Sequence, residues 1–246
     1  MSKNNYSMAW LLLLALTGTS QAAVSLDRTR IIFPGGSDSL SVHIQNNNKE
    51  QPYLAQAWLE DADGKKISSP FTALPPLQRL EPGAESLVKL QALPAVSLLP
   101  QDKESLFYFN LREVPPRSKT PNSLQLALQS TVKFFYRPAA LLVKPGSQSQ
   151  PWQEQLQLQR QGDHYQLNNP TPYYITVVEA ASAPDKPVPQ FKPVMVAPRS
   201  QLALGVTVAQ LGATPRLTYI NDYGGNQPLT YHCGDSCTLQ QDKVSP

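Results

Sequence analysis

Cysteine and histidine are scarce in this chain: 246 residues hold only Cys233 and Cys237, with His43, His164 and His232. Three histidines without i,i+4 spacing exclude the helical metallohydrolase pattern, and a zinc site at the cysteines would need ligands beyond the neighbouring His232. A formal charge of +3 with no run of basic residues gives nucleic acid no electrostatic footprint and anionic membranes no polybasic attachment. Glycine, at 12 residues, is not raised, and Gly224-Gly225 lacks the spacing of a phosphate-cradling loop. No apolar stretch approaches the roughly 20 residues of a membrane-spanning helix.

What is present begins with a leader. Lys3 supplies a positive start, Met8 to Leu16 an apolar stretch, and Ser20-Gln21-Ala22 a small-x-small cleavage site. Residues 1–22 therefore read as a cleavable signal peptide, and the mature protein is expected to be soluble and exported. Loss of Lys3 takes the formal charge to +2. In an exported protein two close cysteines read as a disulfide ahead of a redox pair, with a small entropic benefit because the closed loop is short.

Proline, at 24 residues, is about twice its ordinary usage and recurs between short β-like runs, which favours an all-β fold. Strands are predicted near Val24 to Ile32, Leu40 to Gln45, Tyr53 to Leu59, Phe71 to Leu77, Ser86 to Leu90, Leu106 to Val114 and Leu124 to Tyr136. Seven strands in about 120 residues match an immunoglobulin-like sandwich, with Trp58 on the third strand as a core residue. Past Pro138 to Gly146 and the polar run Ser147 to Gln150, strand signals resume around Leu156, Tyr165, Tyr173, Val194, Leu202, Leu217 and Leu229. The expected division is a leader over 1–22, one sandwich over 23–143 and a second over 144–246. No fixed-period internal repeat is visible, and the Gln-rich patch from Gln148 to Gln161, broken by Trp152 and leucines, reads as a strand with polar flanks.

The run from Leu124 to Arg137 is the most distinctive. Leu124, Leu126, Leu128, Val132, Phe134 and Tyr136 share one parity, so a strand would place them on one face. Such a strand exceeds the usual 5 to 6 residues, and a long apolar edge invites pairing with another chain. On pattern alone the three leucines face their own domain's core. Gly234-Asp235-Ser236 echoes a serine-protease nucleophile segment, but Cys237 stands where glycine is expected, and the segment reads as the turn of a terminal hairpin. No catalytic residue is assigned, and the chain is not expected to be an enzyme.

Four separated segments carry a resemblance. Ala23-Val24-Ser25-Leu26-Asp27-Arg28-Thr29-Arg30, Asn110-Leu111-Arg112-Glu113-Val114-Pro115-Pro116, Phe135-Tyr136-Arg137-Pro138 and Tyr219-Ile220-Asn221-Asp222-Tyr223-Gly224-Gly225 look like the PapD-type periplasmic pilus chaperones of the chaperone-usher pathway. The resemblance spans essentially the whole mature chain. It implies two immunoglobulin-like domains set at an angle, a periplasmic location, pilus subunits (pilins or a tip adhesin) and an outer-membrane usher as partners, and no cofactor, nucleic acid or membrane insertion.

It further implies that each subunit lacks its last strand and that Leu124, Leu126 and Leu128 fill the resulting groove, while Val132, Phe134 and Tyr136 stay in the chaperone's own core. Three buried leucines give a gross driving force of about 5 to 9 kcal/mol, reduced by ordering and lost freedom. Arg30 and Lys133 match the family's anchor for the subunit's C-terminal carboxylate, for which a guanidinium fork and a compact ammonium are suited. Anchoring that terminus also sets register, since a one-residue slip turns every leucine away. Glu104, Arg137 and Asp222 match an interdomain charge network. Leu54, Gln56, Pro75, Pro76 and Leu77 match the surface offered to the usher.

The short Arg117 to Ser123 loop resembles the branch serving thick, rod-like pili. The cysteine spacing and the turn around Asp61 to Ser69 are each one residue shorter than the family pattern. The competing class is a structural pilus subunit or adhesin, which would carry an exposed alternating N-terminal extension and lack its own last strand. The compact start and the polar tail Asp242 to Pro246 speak against it.

Overall fold

The structure, a computed structural model, describes residues 22–118, 121–143 and 151–240. The expected leader, Ala22 apart, the polar run 147–150 and the tail 242–246 lie outside the described residues, as do positions 119 and 120 of the short loop.

The first half contains β1 (Val24–Leu26), β2 (Arg30–Pro34), β3 (Ser39–Asn46), β4 (Tyr53–Glu60), β5 (Lys66–Ile67), β6 (Phe71–Leu74), β7 (Leu77–Leu80), β8 (Glu85–Ala92), β9 (Ser105–Val114) and β10 (Gln129–Arg137). One sheet runs β1-β3-β8-β6; the sheet facing it runs β2-β10-β9-β4-β5, with β7 also paired to β4. Period-2 alternation sends Val42 and Ile44, Val88 and Leu90, Ala55, Ala57 and Leu59, and Phe107, Phe109 and Leu111 into one shared core. Phe71 sits at its aromatic centre, with ring centroids 5.0 Å from Phe33, 4.9 Å from Phe134 and 5.4 Å from Phe107. Such pairs contribute about 0.5–1.5 kcal/mol each beyond area burial.

Two predicted strands each divide in two. The chain expected as one strand from Val24 to Ile32 pairs first with β3 through β1 and then with β10, in parallel, through β2. Its buried residues change parity, from Val24 and Leu26 to Ile31 and Phe33, as a chain crossing between sheets must. Phe71 to Leu77 breaks likewise at Pro75-Pro76, where β6 pairs with β8 and β7 with β4.

Trp58 is not a core residue. Parity on β4 commits Ala57 and Leu59 to the interior, so Trp58 faces outward. There its Nε1 donates to Glu60 Oε1 at 2.7 Å, and Arg112 lies over its ring at 5.2 Å.

The long strand expected from Leu124 begins only at Gln129. Its antiparallel register pairs Gln129 with Arg112, so Leu126 and Gln125 would fall opposite Pro115 and Pro116. Prolines have no N–H to continue a ladder. The last backbone bond there runs from Glu113 N–H to Leu128 O at 3.0 Å.

The second half contains β11 (Gln157–Gln161), β12 (His164–Asn169), β13 (Ile175–Ala183), β14 (Lys186–Pro187), β15 (Val194–Val196), β16 (Ser200–Thr207), the one-turn helix α1 (Val208–Leu211), β17 (Arg216–Ile220), β18 (Asn226–Cys233) and β19 (Cys237–Leu239). A sheet β11-β12-β16 faces a sheet β14-β13-β17-β18-β19, with β15 also paired to β13, over a second core that includes Leu167, Val177, Leu204 and Leu217. The expected disulfide joins Cys233 to Cys237, and Gly234 to Ser236 form the turn of that terminal hairpin.

Both halves use the same corner device. Asn46 at the end of β3 donates through Nδ2 to the carbonyls of Gln51, Leu80 and Glu81 and accepts from Asn48 N–H. Asn169 at the end of β12 donates to those of Tyr173, Val196 and Ala197 and accepts from Thr171 N–H. Each amide satisfies carbonyls that a turn would otherwise bury unpaired.

Where the halves join, Gly35 N–H donates to Arg137 O at 2.6 Å, and a Cβ on Gly35 would stand 2.9 Å from Pro138 Cα. Gly35→Ala must therefore displace the connecting backbone. It is expected to destabilise the protein by about 1–3 kcal/mol, read as a lower urea midpoint.

Candidate functional site

Leu124, Leu126 and Leu128 are 85%, 65% and 40% exposed, so the three leucines are not part of their own core. Phe134 and Tyr136, further along the same parity, are buried, and Val132 packs against the same cluster. On the opposite edge β10 pairs with β2 only from Lys133 onward, opposite Arg30. Residues 129–132 therefore have one free backbone edge, and residues 124–127 have no ladder partner on either side. The result is an apolar segment outside any backbone ladder that leads directly into a pair of cations.

Those cations lie side by side on β10 and β2. Arg30 Nη1 donates to Ile220 O at 3.1 Å, and Lys133 Nζ donates to Thr176 Oγ1 at 3.2 Å, so both are held by oxygens of the second sandwich. Among the described residues neither has a carboxylate at ion-pair distance, and Arg30 Nε is buried without a hydrogen-bond partner. Burial, and then the neighbouring Arg30 charge, hold the Lys133 ammonium below the usual lysine range. Burial also lowers Arg30, against the opposing pull of Asp222 and Glu104. Two half-buried cations side by side, one with a buried N–H left over, have the chemistry that complements an oxyanion.

The turn beneath them is built to touch. Asn221 Oδ1 accepts from the N–H groups of Tyr223 and Gly225, and Gly224 has φ +84°; a Cβ there would overlap Thr29 Oγ1. Glycine serves both needs, a left-handed backbone and a close approach.

Glu104, Arg137 and Asp222 come together as one network. Arg137 Nε donates to Glu104 Oε1 at 2.8 Å, while Nη1 and Nη2 donate to the two Asp222 oxygens at 2.6 and 3.0 Å. Glu104 Oε2 accepts from Tyr174 N–H at 2.8 Å. Burial pushes the Glu104 carboxyl above its ordinary range, and the Arg137 charge and Tyr174 N–H pull the other way. Burial works to lower Arg137 too, but Asp222 and Glu104 outweigh it and hold the guanidinium firmly charged.

Sequence reasoning missed the aromatic cover of this network. Trp152 and Tyr173 stack at 4.3 Å, and the Arg137 guanidinium lies 4.6 Å from the Trp152 ring and 5.0 Å from that of Tyr173. Trp152 showed only as an interruption in a Gln-rich patch, and no periodicity marks a residue that caps a charge from a distant strand.

Leu54 and Leu77 are exposed and lie on adjacent strands, with Gln56 in register with Leu77 and Pro75-Pro76 at the preceding corner. These strands lie away from the cations in the strand order, on the far side of β9 from β10 and β2.

Comparison with known proteins gives this arrangement a family. A family model described as pili and flagellar-assembly chaperone, PapD N-terminal domain, matches residues 23–142, and the pili assembly chaperone PapD C-terminal domain matches residues 151–231. The chain belongs to the PapD family of pilus-assembly chaperones.

It is 48% identical over 246 residues to chaperone protein PapD of Escherichia coli, covering 99% of this chain and 100% of that one. It is 45% identical over 243 residues to chaperone protein PmfD of Proteus mirabilis strain HI4320, covering 96% and 94%. The crystal structure of the CupB2 chaperone of Pseudomonas aeruginosa aligns with a TM-score of 0.69 at 30% identity, over 85% of this chain and 100% of that one. That of the periplasmic chaperone SfaE aligns with a TM-score of 0.68 at 29% identity, over 84% and 98%. The fold is thus two immunoglobulin-like sandwiches, as the sequence led one to expect. Among the described residues no helix is long and apolar enough to cross a membrane.

The two charge clusters answer mutation in opposite ways. Arg137→Ala strands the buried Glu104 carboxylate and should cost about 3–5 kcal/mol of folding free energy, visible in urea denaturation. Lys133→Met removes a desolvated charge that Arg30 repels, so the urea midpoint of the free chain should hold or rise. A clear fall would make Lys133 a structural residue.

Proposed function

We propose that the chain is exported through a cleavable leader over 1–22 and acts in the periplasm as two domains, 23–143 and 144–246, on newly exported pilus subunits. The subunit is an immunoglobulin-like domain short of one strand. Its groove receives Leu124, Leu126 and Leu128, its backbone pairs along the free edges of residues 124–132, and its C-terminal carboxylate closes on Arg30 and Lys133. The Glu104–Arg137–Asp222 network holds the second sandwich, with its Ile220 and Thr176 oxygens, against those two cations. The Leu54–Leu77 surface remains open for the outer-membrane usher. There an incoming strand displaces the donor segment, so the cycle calls for neither a catalytic residue nor a nucleotide.

The observation that carries this reading is the exposed, unpaired leucine segment leading into two cations without counter-charges. An isolated cation at a surface is commonplace. A half-buried pair, held by neutral oxygens with no counter-charge at ion-pair distance and aligned with a free strand edge, has a specific complement: the end of a polypeptide.

Co-expression with candidate pilus subunits and isolation of periplasmic complexes tests it. Wild type should recover a one-to-one complex. Leu126→Glu should recover none, because a carboxylate would enter an apolar groove. Arg30→Ala should weaken capture by roughly 2–5 kcal/mol, since the subunit carboxylate loses a buried partner. Wild-type recovery by both variants would defeat the reading.

A pH dependence accompanies the anchor. Lys133, held low in the free chain, rises toward the ordinary lysine value of 10.5 once a carboxylate favours its charged form. The complex then binds more protons than the free protein in the alkaline window below 10.5, so binding takes up protons and affinity falls as pH climbs through that window. Calorimetry in two buffers of different ionisation heat, with wild type and Lys133→Met, should show the uptake in wild type only.

A further inference from the structure

Asn110 is an outward-facing residue by the parity of β9, between Tyr108 and Arg112, yet it is fully buried. In register it lies between Trp58 on β4 and Thr131 on β10. Its Oδ1 accepts from Thr131 Oγ1 at 2.6 Å and from Gln129 Nε2 at 2.9 Å. Gln129 Oε1 in turn accepts from Arg112 Nη2 at 2.8 Å and Nε at 3.2 Å. Arginine can only donate, so it fixes the Gln129 amide with its oxygen toward Arg112 and its nitrogen toward Asn110. That in turn fixes Asn110 with its oxygen toward β10.

The remaining group, Asn110 Nδ2, is buried with no hydrogen-bond partner. An orphaned buried donor is destabilising, and a leucine of similar size at this position would avoid it. Asn110 is therefore a poor residue for stability alone. What it supplies is an acceptor that grips Gln129 and Thr131, the first two outward residues of β10, at the point where the backbone ladder ends.

We propose that Asn110 is the positioning residue of the donor segment. By holding residues 129 and 131 outward it sets the pleat of the strand's root. By alternation that places Leu128, and through it Leu126 and Leu124, on the other face before any subunit arrives. Pre-setting a segment reduces the ordering cost of binding, and a slip at the root would turn all three leucines. The proposal rests on the donor-strand reading, and two separate measurements keep the two apart.

Ala127→Cys, on the parity opposite the leucines, carries a nitroxide label; the two native cysteines are already joined to each other. Its spectrum in the free chaperone reports segment motion without reference to any subunit. Asn110→Leu should sharpen the lines and slow capture of a co-expressed subunit about tenfold, with the urea midpoint held or raised. If Asn110→Leu misfolds, the exposed pair Gln129→Ala/Thr131→Val severs the same bonds and should give the same two results. An unchanged spectrum overturns the positioning role. A sharpened spectrum with unchanged capture also overturns it, because presetting would then not matter. Failure of the label-free wild type to capture any subunit through Leu126 overturns the donor reading itself, whatever the spectrum shows.

Discussion

Hydrogen bonding between β9 and β10 stops at Leu128 because Pro115 and Pro116 have no N–H to offer the next residues across. That local constraint divides one alternating run into two fates. Downstream, Phe134 and Tyr136 close the first sandwich; upstream, three leucines of the same parity stay in solvent. Fully paired, the run would be a long edge of an ordinary sheet. Cut short, it leaves a short apolar segment with both backbone edges available, joined without interruption to β10 and the core.

The charges divide along a similar line. Arg137 has all its partners within the protein and holds the second sandwich in place through Asp222 while filling the need of buried Glu104. Arg30 and Lys133 have only neutral oxygens. A fold selected for stability alone would not keep two desolvated, mutually repelling cations side by side. The first cluster is satisfied within the protein, and the second is the one on which the proposed carboxylate anchor rests. The two clusters are coupled, because the oxygens that orient Arg30 and Lys133 belong to the half that Arg137 anchors.

Much of this was legible in the residues. Period-2 alternation located most strands, and the division of the chain into two β sandwiches followed from proline-punctuated runs. What alternation could not reveal was a chain changing sheets. The parity shift between Leu26 and Ile31 is visible once known, but a single sequence does not distinguish it from an irregular strand. Trp58 was misplaced because the immunoglobulin-like template, with a buried tryptophan on its third strand, was set above the parity of β4. The leucines could not be placed from pattern, since an alternating apolar face looks the same whether its core lies in its own chain or another. The prolines opposite them were the available clue, and it becomes one only when the register is known. Arg30 and Lys133, about 100 residues apart in sequence, became a pair only through the parallel alignment of β2 with β10.

The two sandwiches share a corner amide, Asn46 in one and Asn169 in the other, yet they finish differently. The first ends in a strand whose leading portion is left over; the second ends in the β18–β19 hairpin, sewn shut by Cys233 and Cys237. On the donor-segment proposal the two ends have unequal consequences: the first sandwich offers one free edge to a partner strand, while the hairpin of the second already supplies its own last pairing.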